Sequence, residues 1–489
     1  MSNCLLSIGG SGHRSLKPLI FLAAAGALGD EELSLLCVDN DATNGNLTES
    51  LELLRLYDYV RGPQRWLGDA PFFRPKLKLL DERPWSPLTS QDSEPTLDSY
   101  LRRDSMSANA GDLTSLFDFL YEPAKRSLSV SEGFRGRPSI GAAIYRAAAQ
   151  GGVPQVGGHG PDGLQRVREE LEAGTAQGRH VRLFSVGSVF GGTGAAGLPT
   201  IPSALIANMR QGGDHVLSGG AFLLPYFEFN GGALEGEGAH ANPDDFIMMM
   251  KDALPYYERN KSWYQCVYAI GADRWRHIPD AAVGKAKQRN PADLVEFLAA
   301  LAASNFLVTW SPTAGTQNGD PTLYVLHRES EVNFTWADVP EKDRIKPELA
   351  AFTRFCFLFL SDFEPELRKA AQGHLKATWY GKQIQPAGVN PSSAEFQNQV
   401  KGLGDFCRAF LRWWVDLHNG AGLGIDLVHT GAFSHQPFTQ EAFPTLITGE
   451  RYGLDARRAV QQVAATPFER KPNLTGLGHF VNALVGVSA

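Results

Sequence analysis

The stretch Val186-Gly-Ser-Val-Phe-Gly-Gly-Thr-Gly-Ala-Ala-Gly-Leu-Pro199 decides how the rest of the chain is read. It follows His180-Val-Arg-Leu-Phe-Ser185, an apolar run that reads as a short buried strand. It leads into Ala195 to Met209, an Ala/Leu/Ile-rich segment that reads as a helix with a proline, Pro199, in its first turn. A strand, a glycine-rich turn and a helix N-terminus together point several unpaired backbone N–H groups at one place, and the helix dipole favours an anion there. Gly191, Gly192, Gly194 and Gly197 let the backbone approach a phosphate closely, and Thr193 adds a hydroxyl donor. The same turn also serves as a plain strand-to-helix connection with no ligand.

Outward from this centre the chain alternates strand and helix. Asn3 to Ile8 reads as a strand, Gly9-Gly-Ser-Gly-His-Arg14 as a turn, Leu16 to about Ala27 as a helix, and Leu33 to Val38 as a second strand ending on Asp39-Asn-Asp-Ala42. Such a β-α-β unit belongs to a parallel sheet, which places ligands at the carboxyl ends of its strands. From Thr43 to about Glu132 prolines (Pro63, Pro71, Pro75, Pro84, Pro87 and Pro95 among them), tryptophans and mixed charges suggest an inserted, irregular subdomain. Helices are expected at Pro138 to Ala148, Gly163 to Ala173 and from Asn242 to about Arg259, and further strands at Val216 to Leu224 and Gln265 to Ile270. Pro291 to Phe306 reads as an apolar helix buried all round, and Ala394 to about Leu417 as an amphipathic one.

Composition bounds the possible roles. A formal net charge of −7 gives no basic field for nucleic acid. Five scattered cysteines with no C-x-x-C spacing fit buried thiols in a reducing cytoplasm, not a disulfide or zinc framework. No basic segment followed by a cleavable apolar run opens the sequence, and Phe352 to Leu360, the most apolar later run, is too short to span a bilayer. The histidines never fall at H-x-x-x-H spacing, and no residue is assigned as a metal ligand.

Five segments, taken in order, resemble the tubulin/FtsZ family of GTP-binding, filament-forming proteins, and divergent bacterial tubulin-like proteins most of all. Ile8-Gly-Gly-Ser-Gly-His-Arg14 looks like that family's first glycine loop, and Val38-Asp-Asn-Asp-Ala42 like its N-T-D-A step. Gly136-Arg-Pro-Ser-Ile-Gly141 is similar to the loop that faces the terminal phosphate. Phe190-Gly-Gly-Thr-Gly-Ala-Ala-Gly197 looks like the G-G-G-T-G-[ST]-G hallmark, with Phe190 in place of the first glycine. Leu224-Pro-Tyr-Phe-Glu-Phe229 is similar to the segment near the ribose.

The resemblance implies an α/β fold in three parts. These are a GTP-binding domain over 1–288 with its insertion at about 43–132, a linking helix and catalytic-loop region over 289–347, and a smaller mixed α/β domain over 348–489. It implies phosphate contacts from Gly9, Gly10, Ser11, Gly12, His13, Asp41, Gly136, Arg137, Gly191, Gly192, Thr193, Gly194 and Ala195, aided by Mg²⁺, and a ribose contact from Glu228. Ile270-Gly-Ala-Asp273 and Asn305 stand where the family grips guanine.

The family completes its hydrolytic site with an acidic loop from the next subunit of a head-to-tail filament. Glu331-Val-Asn-Phe-Thr-Trp-Ala-Asp-Val339 resembles that loop, which makes Asn333 and Asp338 the implied catalytic pair. Thr335 replaces an aspartate there, and a threonine cannot act as a carboxylate base at neutral pH. Equally, Thr335 to Pro340 reads as the start of a helix with Asp338 as a surface charge. The departure motivates a second reading, a nucleotide-gated scaffold with little turnover that recruits an accessory protein. A third is an NAD-dependent Rossmann enzyme, since Asp39 ends strand two where a ribose-binding acid belongs. No G-x-x-x-x-G-K-[ST] or G-x-S-x-G occurs.

Overall fold

The computed structural model describes residues 2–62, 70–88, 95–109, 111–134, 136–151, 162–211, 216–229, 243–259, 263–278, 286, 288–312, 320–328, 332–370, 377–420, 424–470, 474 and 477–489. The chain opens with β1 (Ser2–Ile8), α1 (Gly9–Ala25) and β2 (Leu33–Val38). The helix α2 (Gly45–Arg61), capped by the Asn44 side chain, leads to the short strand β3 (Leu77–Leu79). Four short helices follow: α3 (Leu97–Tyr100), α4 (Arg103–Asn109), α5 (Gly111–Leu120) and α6 (Pro123–Arg126). Next come α7 (Pro138–Gly151), α8 (Gly163–Ala176), β4 (Val181–Ser188), α9 (Gly192–Gln211), β5 (Val216–Leu223) and β6 (Phe227–Phe229).

The chain continues through α10 (Pro243–Arg259), β7 (Cys266–Ala272), β8 (Arg276–Ile278) and α11 (Leu294–Ser304), which runs into a π-helical turn at Asn305–Thr309. Beyond lie β9 (Thr322–Arg328), β10 (Phe334–Thr335), α12 (Lys342–Leu358), α13 (Glu364–Ala370), α14 (Thr378–Gln383) and α15 (Ala394–His418). The last elements are β11 (Ile425–Asp426), α16 (Ala456–Ala465) and α17 (Gly478–Ser488).

Seven strands form one sheet in the order β3-β2-β1-β4-β5-β7-β9, and every neighbouring pair is parallel. The result is a Rossmann-like α/β sheet with helices on both faces. Its strands alternate between two cores, as the pleat requires: Cys4, Leu6 and Ile8 of β1 enter the core of α7, α8 and α9, while Leu5 enters that of α1, α2 and α11. The second core runs on without a break into α12, α15 and α17. The strand order reverses between β1 and β4, and the register sets Ile8 opposite both Val38 and Gly187. The chain therefore leaves β1, β2 and β4 at one level, beside a switch point where such sheets bind ligands.

Three local expectations change. The glycine turns are helical: α1 begins at Gly9, not Leu16, and α9 at Gly192, not Ala195, because Gly9 (φ +71°) turns the chain from strand to helix within one residue. The stretch expected to be an irregular insertion supplies α2 and the edge strand β3. Leu47, Leu51, Leu54 and Tyr57 recur at helical spacing and bury against α1. Because α9 starts at Gly192, Pro199 is not a first-turn residue, and it lies with Pro202 inside the helix.

An internal proline removes an N–H and orphans the carbonyl four residues earlier. Here those carbonyls belong to Ala195 and Leu198. The Tyr257 hydroxyl donates to Ala195 O at 2.8 Å and the Tyr264 hydroxyl to Leu198 O at 2.6 Å, both buried. Burial pushes both phenols up, so they stay protonated donors. Tyr264→Phe is expected to cost roughly 1–3 kcal/mol in denaturant unfolding by leaving a buried carbonyl unpaired. In a Pro202→Ala background, where the backbone N–H returns, the cost should shrink. Equal costs in both backgrounds would refute the compensation.

Candidate functional site

The cleft at the switch point encloses about 960 Å³ of space continuous with solvent. Its floor is two helix N-termini. Ile8, the residue before α1, makes no side-chain cap, so the first-turn amides of Gly9, Gly10 and Ser11 depend on another acceptor. The turn Ser188–Gly191 delivers α9 beside them, and the two helix starts touch: a Cβ on Gly9 would lie 3.1 Å from Gly194 N. A Cβ on Gly194 would in turn lie 2.6 Å from Ser188 O. Gly191, Gly192 and Thr193 complete the floor, and Glu132, Gly133 and Gly136 form a rim.

Of the residues singled out in the sequence, Gly9, Gly10, Ser11, Asp41, Gly136, Gly191, Gly192, Thr193 and Gly194 come together in this cleft. Gly12, His13 and Ala195 lie beneath it, buried. Gly12 packs on β4, where a Cβ would meet Val186 O at 2.6 Å. His13 shares a proton with Ser7 Oγ at 2.7 Å through Nδ1 and sets Nε2 3.4 Å from Asp39 Oδ2. Its ring therefore supports Asp39, which does line the cleft. Arg137 flanks the rim without lining it.

Charge at the cleft is unevenly distributed. Asp39, Asp41 and Glu132 line it, and Arg14 is the one lysine or arginine among the described lining residues. Asp41 Oδ1 accepts from Thr43 N at 3.0 Å and Thr43 Oγ1 at 2.7 Å, which fixes the loop after β2. Arg14 is buried and ion-paired with Glu296 of α11, and it donates to Pro291 O at 3.0 Å. Glu296 also accepts from the Tyr226 hydroxyl at 3.1 Å and, through its other oxygen, from Asp293 N in the capping box of α11. Burial pushes the Glu296 carboxyl up to about 7, against the opposing pull of Arg14.

Several cleft residues carried no motif. Phe190, Phe227 and Phe246 build one wall. Asn44, Asn46, Gln288 and Asn290 add an amide-rich part of the lining, clasped by Asn44 Nδ2 donating to Gln288 Oε1 at 2.5 Å and Asn290 N donating to Asn46 Oδ1 at 2.9 Å. The only sequence signal for this clasp is the amide cluster flanking the start of α2, Asn44-Gly-Asn46.

The remaining candidates lie outside the cleft. Glu228 on β6 sits 3.6 Å from His277 of β8, and Asp273 contacts His327. Asn305 follows the last residue of α11, whereas the cleft reaches only Asn290, before its first; a helix of 11 residues spans about 16 Å. Its amide accepts from the Tyr268 hydroxyl and donates to Thr309 Oγ1. Asn333 precedes β10, which ends at Thr335 and pairs with β11, and Trp336 to Glu341 form turns, with α12 starting only at Lys342. Asp338 Oδ2 accepts from Thr335 N at 2.7 Å and Thr335 Oγ1 at 2.9 Å. No helix start lies at Thr335, because this carboxylate holds a turn there.

Fold and cleft together define a Rossmann-like α/β protein with a crevice floored by two helix N-termini at its switch point. No protein-family model matches the chain, and no curated protein matches its sequence. Among the described residues, no helix is long and apolar enough to cross a membrane, and no group of three or more His, Cys, Asp or Glu side chains is arranged to hold a metal ion.

Glu296→Ala would leave Arg14 buried without its counter-ion, an expected loss of about 3–5 kcal/mol. Because burial raises the Glu296 carboxyl from 4.5 to about 7, its contribution is full below about pH 4.5 and lost as pH rises through about 7. Wild-type stability should therefore fall relative to Glu296→Gln across that window in urea titrations. A constant difference would contradict the assignment.

Proposed function

We propose that this chain is a tubulin/FtsZ-like nucleotide-binding protein that takes GTP in the switch-point cleft. It assembles head to tail and hydrolyses GTP at a site shared between adjacent subunits. The observation that carries this reading is the meeting of two helix N-termini at Gly9 and Gly194, with the first uncapped by any side chain. Backbone amides and the Thr193 and Ser11 hydroxyls would hold the phosphates. Three carboxylates face one arginine that is already paired, so a triphosphate needs a compensating cation there, and Mg²⁺ bound to the phosphates supplies it. Asp338 and Asn333 would act on the nucleotide of the neighbouring subunit, consistent with their distance from the cleft of their own chain.

One observation favours the second reading, a nucleotide-gated scaffold with little turnover and an accessory partner. Asp338 spends its carboxylate on the Thr335 turn, which lowers its availability to polarise water.

Phosphate release from GTP should be followed against protein concentration, with light scattering in the same cuvette. A specific rate that climbs steeply above a threshold, together with scattering, is the result expected of a shared site; scattering without phosphate release identifies the scaffold. Thr193→Ala should weaken GTP binding about tenfold through a lost charge-assisted hydrogen bond, and Gly194→Ala should weaken it further by its clash with Ser188 O. Asp338→Ala should leave binding intact and slow release. Loss of binding in Asp338→Ala would sink the shared-site assignment, and a nicotinamide dinucleotide found bound to the purified protein would point to a Rossmann enzyme instead.

A further inference from the structure

The two edges of the seven-stranded sheet are finished differently. The edge strand β3 is three residues long and carries Lys78 at its centre, ion-paired to Glu170, a device by which edges discourage further pairing. At the other edge β9 is seven residues long, and Thr322-Leu-Tyr-Val-Leu326 contains no charge, glycine or proline. Leu323 and Val325 are 61% and 66% exposed, on the face of β9 opposite Tyr324, whose ring stacks on Tyr268. The backbone is open as well. Thr322 N donates to Gln265 O at 2.8 Å, so in this parallel ladder Thr322, Tyr324 and Leu326 turn their amides and carbonyls to β7. Leu323, Val325 and His327 turn theirs outward, and among the described residues nothing bonds those outward groups.

We propose that β9 is a dimerisation edge that pairs antiparallel with β9 of a second copy, across a two-fold axis at Val325. The pairing goes beyond the nucleotide reading and does not rest on it. A two-fold axis makes one edge meet itself, so the edge must be self-complementary. In the register centred on Val325, that residue faces its own copy and Leu323 of each chain faces His327 of the other. Every outward N–H and C=O of the three residues then has a partner. A register centred on Tyr324 would instead set His327 against Pro321, which has no N–H to give. Charge favours the same arrangement. His327, which contacts Asp273, is the ionisable member of the outward row. Antiparallel pairing keeps the two imidazoles about 14 Å apart along the strands, beyond a Debye length of about 8 Å. Parallel, in-register pairing would set them side by side. Seven residues a side fall short of the roughly 20–30 of a standard interface, so the dimer is weak and concentration-dependent.

Sedimentation velocity of the full-length protein across the micromolar range tests this, with nucleotide omitted so that head-to-tail assembly does not contribute. Wild type should pass from monomer to dimer, and hydrogen exchange at the Leu323, Val325 and His327 amides should slow as the dimer fills. Val325→Lys and Val325→Glu each set like charges against each other at the axis, and each should weaken the dimer at least about tenfold. An equimolar mixture of the two variants should associate again, because a two-fold axis at this position brings Lys against Glu. Thermal melts check that both variants fold as wild type does. A wild type that stays monomeric throughout, or a dimer that both variants leave unchanged, overturns the pairing. A mixture that associates no better than its components also overturns it, since the contact then lies away from Val325. Equal protection of the three amides at every concentration would mean that the edge is covered within one chain, which overturns it as well.

Discussion

The contact between the first turns of α1 and α9 is the constraint on which the cleft depends. Both helices leave adjacent parallel strands at the same level, and neither has a connecting loop long enough to keep the two starts apart. Glycine at 9 and 194 is what lets the backbones close, since a Cβ at either would press on the other or on Ser188. Two partial positive charges of the same sign are thereby held together, an arrangement that is itself unfavourable and is relieved by a negative group above the floor. Asp39 and Asp41 already stand at that level on the neighbouring strand end, so the sheet register sets acidic side chains beside the two helix starts.

Behind the floor, the Arg14–Glu296 pair joins α1 to α11. Its two charges are both buried, and its remaining bonds go to Pro291 O and the Tyr226 hydroxyl. Such a pair contributes little net stability compared with an apolar replacement, but it penalises any shift that separates the partners. It therefore acts as a registration pin: the start of α11, the wall carrying Phe227 and the first turns of α1 keep one relative position.

The sheet and the floor were largely legible in the amino-acid sequence, because apolar runs ending in glycine or aspartate carry their meaning within a few residues. Ile8-Gly-Gly-Ser-Gly12 and Phe190 to Gly194 are such signals, and they converge. The walls were not legible. Asn44 meets Gln288 and Asn46 meets Asn290 across 244 residues, and Phe190, Phe227 and Phe246 look like ordinary core residues until the fold brings them to one face. Asn305 shows the opposite error. The amide is only half-buried, in the π-helical turn that follows α11, and Tyr268 and Thr309 supply its partners there. The α2 helix was hidden by composition: prolines beyond Arg61 coloured the reading of a segment whose leucine spacing was helical throughout.

The two tyrosines that complete α9 have a consequence for how the protein is made. Their hydroxyls reach Ala195 and Leu198 from 62 and 66 residues further along the chain. Until α10 and the residues before β7 have been synthesised, those two carbonyls lack these donors. The helix that bears the glycine turn is thus completed by residues well beyond its own end, and a chain that stops before Tyr257 lacks both of these hydroxyls.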